Sequence, residues 1–218
     1  MAPKVSDEYL EERRQQILDA AVASFSRNGL HQTTIEDIRV EAKLSKGAVY
    51  HYFKTKEDII DGIRERSAGQ AEAFYAATSE SEDAMTRLLD LMDVAFAGLV
   101  SPRSVEANRL ALFLWSESIV NQRIMDGQLD SFSPFLKRMA DDVRKAQADG
   151  KINPGIAPEG IARAVTGAML GLQIQLTWEP DIDMAEAERA LRAMITGDFW
   201  TAEPLKQEVS AEPEMAPG

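Results

Sequence analysis

The chain has 218 residues, 44% of them hydrophobic, no cysteine, and a formal net charge of −12. That length supports a sizeable core divided into a small and a larger domain, and the lack of Cys excludes a disulfide framework and any thiolate metal site. The charge is unevenly placed. Residues 1–56 carry nine Lys/Arg against eight Asp/Glu and the remainder fifteen against twenty-eight, so a near-neutral head sits on an acidic body that would repel DNA. There is no long apolar run and no charged-then-apolar N-terminus, so a soluble, cytoplasmic chain without a membrane partner is expected.

In chain order, Ile17, Leu18, Ala21, Val22 and Phe25 form the apolar stripe of a first helix. Asn28-Gly29 is its stop signal, with glycine suited to a left-handed cap and Leu30 placed for the contact that follows. Arg13 and Arg14 either reach phosphate or are simply solvated. Thr33 stands three residues before Glu36 and Thr34 three before Asp37. Either pair can form a capping box, Thr33 with Glu36 having the preferred residue types. Ile38 and Ala42 give the short helix that follows one apolar face.

Lys43-Leu44-Ser45 breaks that pattern, Leu44 as an apolar plug and Ser45 as the cap of the next helix. That helix turns Val49 and Tyr52 inward and leaves Lys46, Gly47, Ala48, Tyr50 and His51 on its other side. Small residues at 47 and 48 allow close approach to a surface, and Lys46, Tyr50 and His51 can donate to phosphate. This is what a helix-turn-helix reader of the DNA major groove requires. Thr55 then caps a further helix with Lys56 in its first turn, where phosphate or solvent could be its partner. Thr33, Thr34, Lys46, Gly47, Ala48, Tyr50, His51 and Lys56 are the candidate DNA contacts.

The segment from Arg13 to Ile63 resembles the N-terminal domain of the TetR family of bacterial transcriptional repressors. The resemblance rests on RRQQILDAAVASFSRNGLHQTTIEDI and LSKGAVYHYFKTKEDII, notably Tyr50, Tyr52, Phe53 and Lys56 and the Phe25-to-Gly29 helix end. Two positions depart from the family pattern. Lys43 stands where the family usually has glycine; a left-handed backbone there would cost about 1 kcal/mol. Arg39 replaces a small or apolar residue in the supporting helix. The resemblance implies an all-α chain: a three-helix DNA-binding domain with a short arm over 1–56, then a larger helical domain for effector binding and dimerisation.

Beyond Lys56, periodicity predicts helices over 57–77, 80–99, 103–121, 122–149, 158–178 and 184–199 with no strand signal. Pro134 is expected to start or kink a helix. The larger domain is placed at 57–200, and the Pro- and Glu-rich 201–218 is expected to be disordered. The most apolar segment carries Ile161, Val165, Ala168, Leu172 and Leu176 along one side, and the last helix carries Leu191, Met194 and Ile195. These two helices either fill a monomer core or, as the resemblance implies, make a four-helix homodimer interface with their copies. Met92, Phe96, Phe113 and Trp115, with Glu117 and Gln173, are either core or the wall of an apolar effector pocket. The family habit of binding small molecules favours a pocket.

An enzyme is disfavoured. The only histidines, His31 and His51, lie in the head, so the larger domain lacks His and Cys, and no metal or other cofactor is implied. The expected function is a repressor released from a palindromic operator by an apolar or amphipathic molecule. The alternative is an effector-independent activator or architectural DNA-binding factor.

Overall fold

The computed structural model describes residues 6–78, 83–101 and 104–198. Among the described residues all regular structure is helical: α1 (Asp7–Gln32), α2 (Ile35–Ala42), α3 (Lys46–Tyr52), α4 (Lys56–Thr78), α5 (Ala84–Val100), α6 (Ser104–Ser118), α7 (Gln122–Ala148), α8 (Pro158–Trp178) and α9 (Met184–Thr196). This is the all-α class expected. The chain falls into two compact units, the first ending at Ile182 and the second beginning at Asp183, so α9 is described by itself. No described helix is long and apolar enough to cross a membrane.

α1 starts where Ser6 accepts from the Tyr9 amide at 3.2 Å. Its stripe of Ile17, Leu18, Ala21 and Phe25 is fully buried. The expected stop at Gly29 is instead a break within α1. Gly29 takes φ 80°, ψ 166°, a region that is essentially glycine-only, and one more turn follows with Leu30 buried. The capping box is made by Thr34 and Asp37, not by Thr33 and Glu36. Thr34 Oγ1 accepts from the Asp37 amide at 3.1 Å, and the Asp37 carboxylate accepts from the Thr34 amide at 2.8 Å. The reason is that Thr33 points inward, its hydroxyl donating to the Ser24 and Gly29 carbonyls.

Lys43 does adopt the left-handed backbone, at φ 55°, ψ 39°. Arg39 supports the same turn from outside, donating to Glu36 at 2.7 Å and to the Leu44 carbonyl at 2.9 Å. The replacement of a small residue is therefore absorbed without burying a charge.

One apolar core runs through α1–α4 and also takes in Leu110 and Leu114 of α6 and Ile124 of α7. Residues 56 and 57 are consequently not a break in packing, because α4 begins there and carries the head core into the body. A second core gathers Tyr75, Leu91, Met139, Ala140 and Ala162 from α4, α5, α7 and α8. Pro134 neither starts nor ends a helix: α7 continues through it. Pro134 is exposed, as is Asp130, whose carbonyl loses its helical partner. α8 is apolar on nearly every side, yet only Ala162 and Thr166 are buried in it. Ile161, Val165, Ala168, Leu172 and Leu176 remain half-buried. In α9, capped by Asp183 on the Glu186 amide at 3.0 Å, Met194 is exposed and Leu191 and Ile195 are half-buried. The 201–218 tail lies outside the described residues.

Candidate functional site

Helix α3 is set by its two ends. Ser45 accepts from the Ala48 amide at 3.2 Å, and Phe53 closes the helix with its amide on the Val49 carbonyl at 3.0 Å. Val49 and Phe53 are buried and Tyr52 packs against the same core, which pins the inner face. On the outer face Lys46, Gly47, Tyr50 and His51 are exposed side by side and Ala48 is half-buried. A Cβ placed on Gly47 would meet nothing within 4 Å, so the absence of a side chain there opens the surface rather than serving internal packing. The Lys46 ammonium lies over the Tyr50 ring at 5.8 Å from its centroid, a cation–π contact that keeps both groups on one edge. Lys54, not singled out in the sequence, is exposed just beyond α3 and its ammonium donates to the Tyr50 carbonyl.

Three expected DNA contacts are placed differently. Thr33 is 1% exposed and both ends of its hydroxyl interaction are internal, so its side chain is an anchor of the loop before α2. Thr34 is exposed, but its hydroxyl is engaged with Asp37, whose pKa is held low by that bond. Lys56 is half-buried and its ammonium donates to the Leu30 carbonyl at 2.7 Å and the Thr33 carbonyl at 3.3 Å. It ties the start of α4 to the loop preceding α2 instead of standing free for phosphate. Periodicity could not foresee this, since the partners lie 26 and 23 residues away.

Arg13 meets Gln16 at 2.6 Å and the Tyr9 ring, and Arg14 pairs with Glu65 at 3.0 Å. Both are engaged within the molecule. Further ties join head and body. His31, at the end of α1, meets Glu117 of α6 at 2.8 Å. Arg123 of α7 bridges Asp58 and Asp61 of α4.

In the body, a cavity of about 290 Å3 opens between α5, α7 and α8. Met92, Met139 and Met169 line it with Leu88, Leu91 and Phe135, while Val165 and Thr166 contribute from α8. Of the residues expected to line a pocket, Met92 alone lines this cavity among the described residues. Phe96 is 2% exposed, in core packing. Phe113 is exposed on the outside of α6. Glu117 belongs to the tie with His31. Gln173 donates to the Asn108 side chain at 3.1 Å. Trp115 is one step removed: its ring meets Phe132 edge-on at 5.5 Å, and Phe132 stacks on the cavity-lining Phe135 at 6.2 Å. Val165, expected on a dimer face, is half-buried and lines the cavity. Behind the cavity wall a buried ion pair links Arg87 to Asp142 at 2.6 Å, and the Tyr75 hydroxyl donates to the same carboxylate. Burial alone would raise the Asp142 pKa; the bonds from Arg87 and Tyr75 outweigh it and hold the group ionised. Burial first, then the Asp142 carboxylate, push the Tyr75 phenol far up.

Residues 17–63 match the family model described as bacterial regulatory proteins, tetR family, and residues 84–197 match the model for the C-terminal part of BetI-type transcriptional repressors. The chain is 26% identical over 184 residues to the transcriptional regulator UidR of Escherichia coli K12, covering 84% of this chain and 91% of that protein. It is 30% identical over 99 residues to the uncharacterised regulator YfiR of Bacillus subtilis, spanning 45% of this chain and 48% of YfiR. Among solved structures, a transcriptional regulator from Saccharomonospora viridis in complex with choline superposes with a TM-score of 0.74. That match is at 24% identity and covers 85% of this chain and 96% of the other.

Proposed function

The chain belongs to the TetR family and is a DNA-binding transcriptional regulator rather than an enzyme, and from that premise we propose that it is a cytoplasmic homodimeric repressor released from a palindromic operator by a small apolar or amphipathic effector. The observation that carries the DNA half is the outer face of α3. Lys46, Gly47, Tyr50 and His51 stand exposed on a helix whose inner face is locked by Val49 and Phe53. A rigid helix with donors at its edge and no bulk at its centre suits entry into the major groove, donors to phosphate and small residues to base edges. The residues up to Lys56 serve as the reading domain, and the helices beyond it serve effector binding and dimerisation.

Ile161, Ala168, Leu172 and Leu176 of α8, all left half-buried in a strongly apolar helix, support self-association. Leu191, Met194 and Ile195 of α9 offer a second apolar face of the same kind. Two-fold pairing would set two α3 helices roughly 34–36 Å apart, one turn of duplex. The test is operator mapping by footprinting upstream of the chain's own coding region, with sedimentation of the free protein and a titration of candidate effectors against the bound complex. A monomer at micromolar concentration, or a protected site without two-fold symmetry, refutes the dimeric reading. A bound complex that no compound releases refutes effector control and leaves the effector-independent alternative.

A further inference from the structure

The wall of the body cavity states which chemistry it accepts. Among the described residues no Lys, Arg, His, Asp or Glu lines it. Its one hydroxyl, on Thr166, already donates to the Ala162 carbonyl at 2.7 Å. The buried Asp142 is already engaged by Arg87, Tyr75 and Lys145. An ionised ligand head would lose its water here and gain no partner, which is strongly unfavourable. A quaternary ammonium would need a carboxylate or several aromatic faces, and among the described residues Phe135 is the single ring on the wall.

Size narrows the class. An engineered apolar cavity of about 150 Å3 admits benzene, so about 290 Å3 corresponds to roughly ten to twelve non-hydrogen atoms at interior packing density. Shape and softness narrow it further. Three thioethers, Met92, Met139 and Met169, surround the space; thioether sulfur favours the edge of an aromatic ring and adapts to its outline.

Resting on the effector-controlled reading above, the geometry points to a neutral, bicyclic aromatic molecule as the ligand of this cavity, not a quaternary ammonium such as the choline held by the Saccharomonospora viridis protein and not a fatty carboxylate. Trp115 reports occupancy through Phe132 and Phe135. Entry is at the α5 rim, where Ala95 and Gly98 are exposed and line the opening. A Cβ on Gly98 meets nothing within 4 Å, so a larger side chain can occupy the mouth without displacing the backbone.

The experiment uses the full chain with naphthalene, choline and octanoate as probes. It reads the melting temperature, tryptophan emission and the anisotropy of a labelled operator fragment. Naphthalene is expected to raise the melting temperature, alter the emission and release the operator, while choline and octanoate do none of these where naphthalene saturates. Gly98→Leu is expected to weaken naphthalene binding at least tenfold, and Ala95→Phe serves as the second plug should the first variant fold poorly. If choline or octanoate binds and the plugs weaken it, the ligand class is overturned while the cavity and the regulatory reading stand. If no probe binds, or the plugs leave naphthalene affinity unchanged, the cavity assignment is overturned. Operator affinity of the ligand-free chain, measured in the same titration, judges the repressor reading separately.

Discussion

Replacing Lys56 by methionine separates a phosphate contact from an internal tie. The substitution keeps the length and most of the methylene packing but removes the ammonium that donates to the Leu30 carbonyl at 2.7 Å and the Thr33 carbonyl at 3.3 Å. A hydrogen bond with one charged partner contributes on the order of 1.5–3 kcal/mol. Here the second bond is long and the side chain only half-buried, so water recovers part of the loss and about 1–2 kcal/mol in total is expected. For a chain of this size that lowers the melting temperature by roughly 2–8 °C, read at fixed protein concentration. The last turn of α1 and Thr33 set the entry of α2, and α2 carries α3, so operator affinity also falls. What distinguishes the two roles is salt. Loss of a phosphate contact reduces the slope of log affinity against log salt by about 0.9, whereas loss of an internal tie leaves that slope as it was. Anisotropy titrations at several salt concentrations measure it. A slope reduced by about 0.9 with an unchanged melting temperature would refute the internal role.

Lys46→Ala should weaken binding across many sequences and reduce the salt slope by about 0.9, while Tyr50→Phe should weaken binding with the slope unchanged, since it removes a donor but no charge; equal affinity in both variants places the outer edge of α3 off the DNA. Lys43→Gly should relieve the left-handed strain at φ 55° and stabilise the ligand-free protein by up to about 1 kcal/mol, checked by chemical denaturation; a lower midpoint contradicts it. Asp83 meets Lys151 at 2.6 Å, and hydrogen bonds from Lys151 and then Thr86 bring its pKa from the usual 3.8 down to about 2. A carboxylate lowered on folding contributes stability above its unfolded pKa and loses it as pH falls through the folded value. Asp83→Asn should therefore flatten the fall of melting temperature between about pH 4 and pH 2; an unaltered profile in that interval removes the tie from the stability of the α5 start.

Much of the fold is legible in the chain itself because helices are local objects. The stripe from Ile17 to Phe25, the Ser45 cap and the helices over 122–149 and 158–178 follow from residue spacing within one or two turns, and all appear as expected; the left-handed backbone at Lys43 is flagged only by the resemblance, which puts glycine there. The outward set Lys46, Gly47, Tyr50 and His51 is legible for the same reason: with Val49 turned inward, helical geometry dictates what faces out. Which of two adjacent threonines caps α2 was not legible, since it depends on the Ser24 and Gly29 carbonyls that draw Thr33 inward. The role of Lys56 depends on carbonyls 23 and 26 residues earlier. Glu117 was expected in a pocket and instead meets His31, 86 residues away. The sequence picks out Met92, Phe96, Phe113 and Trp115 as large side chains of the body, but whether each lines a cavity, fills the core or faces water is set by how α5, α6, α7 and α8 cross. Local spacing determined the helices and the outward face of α3; only the tertiary structure decided the cavity and the ties between head and body, because distant backbone and side-chain partners make both.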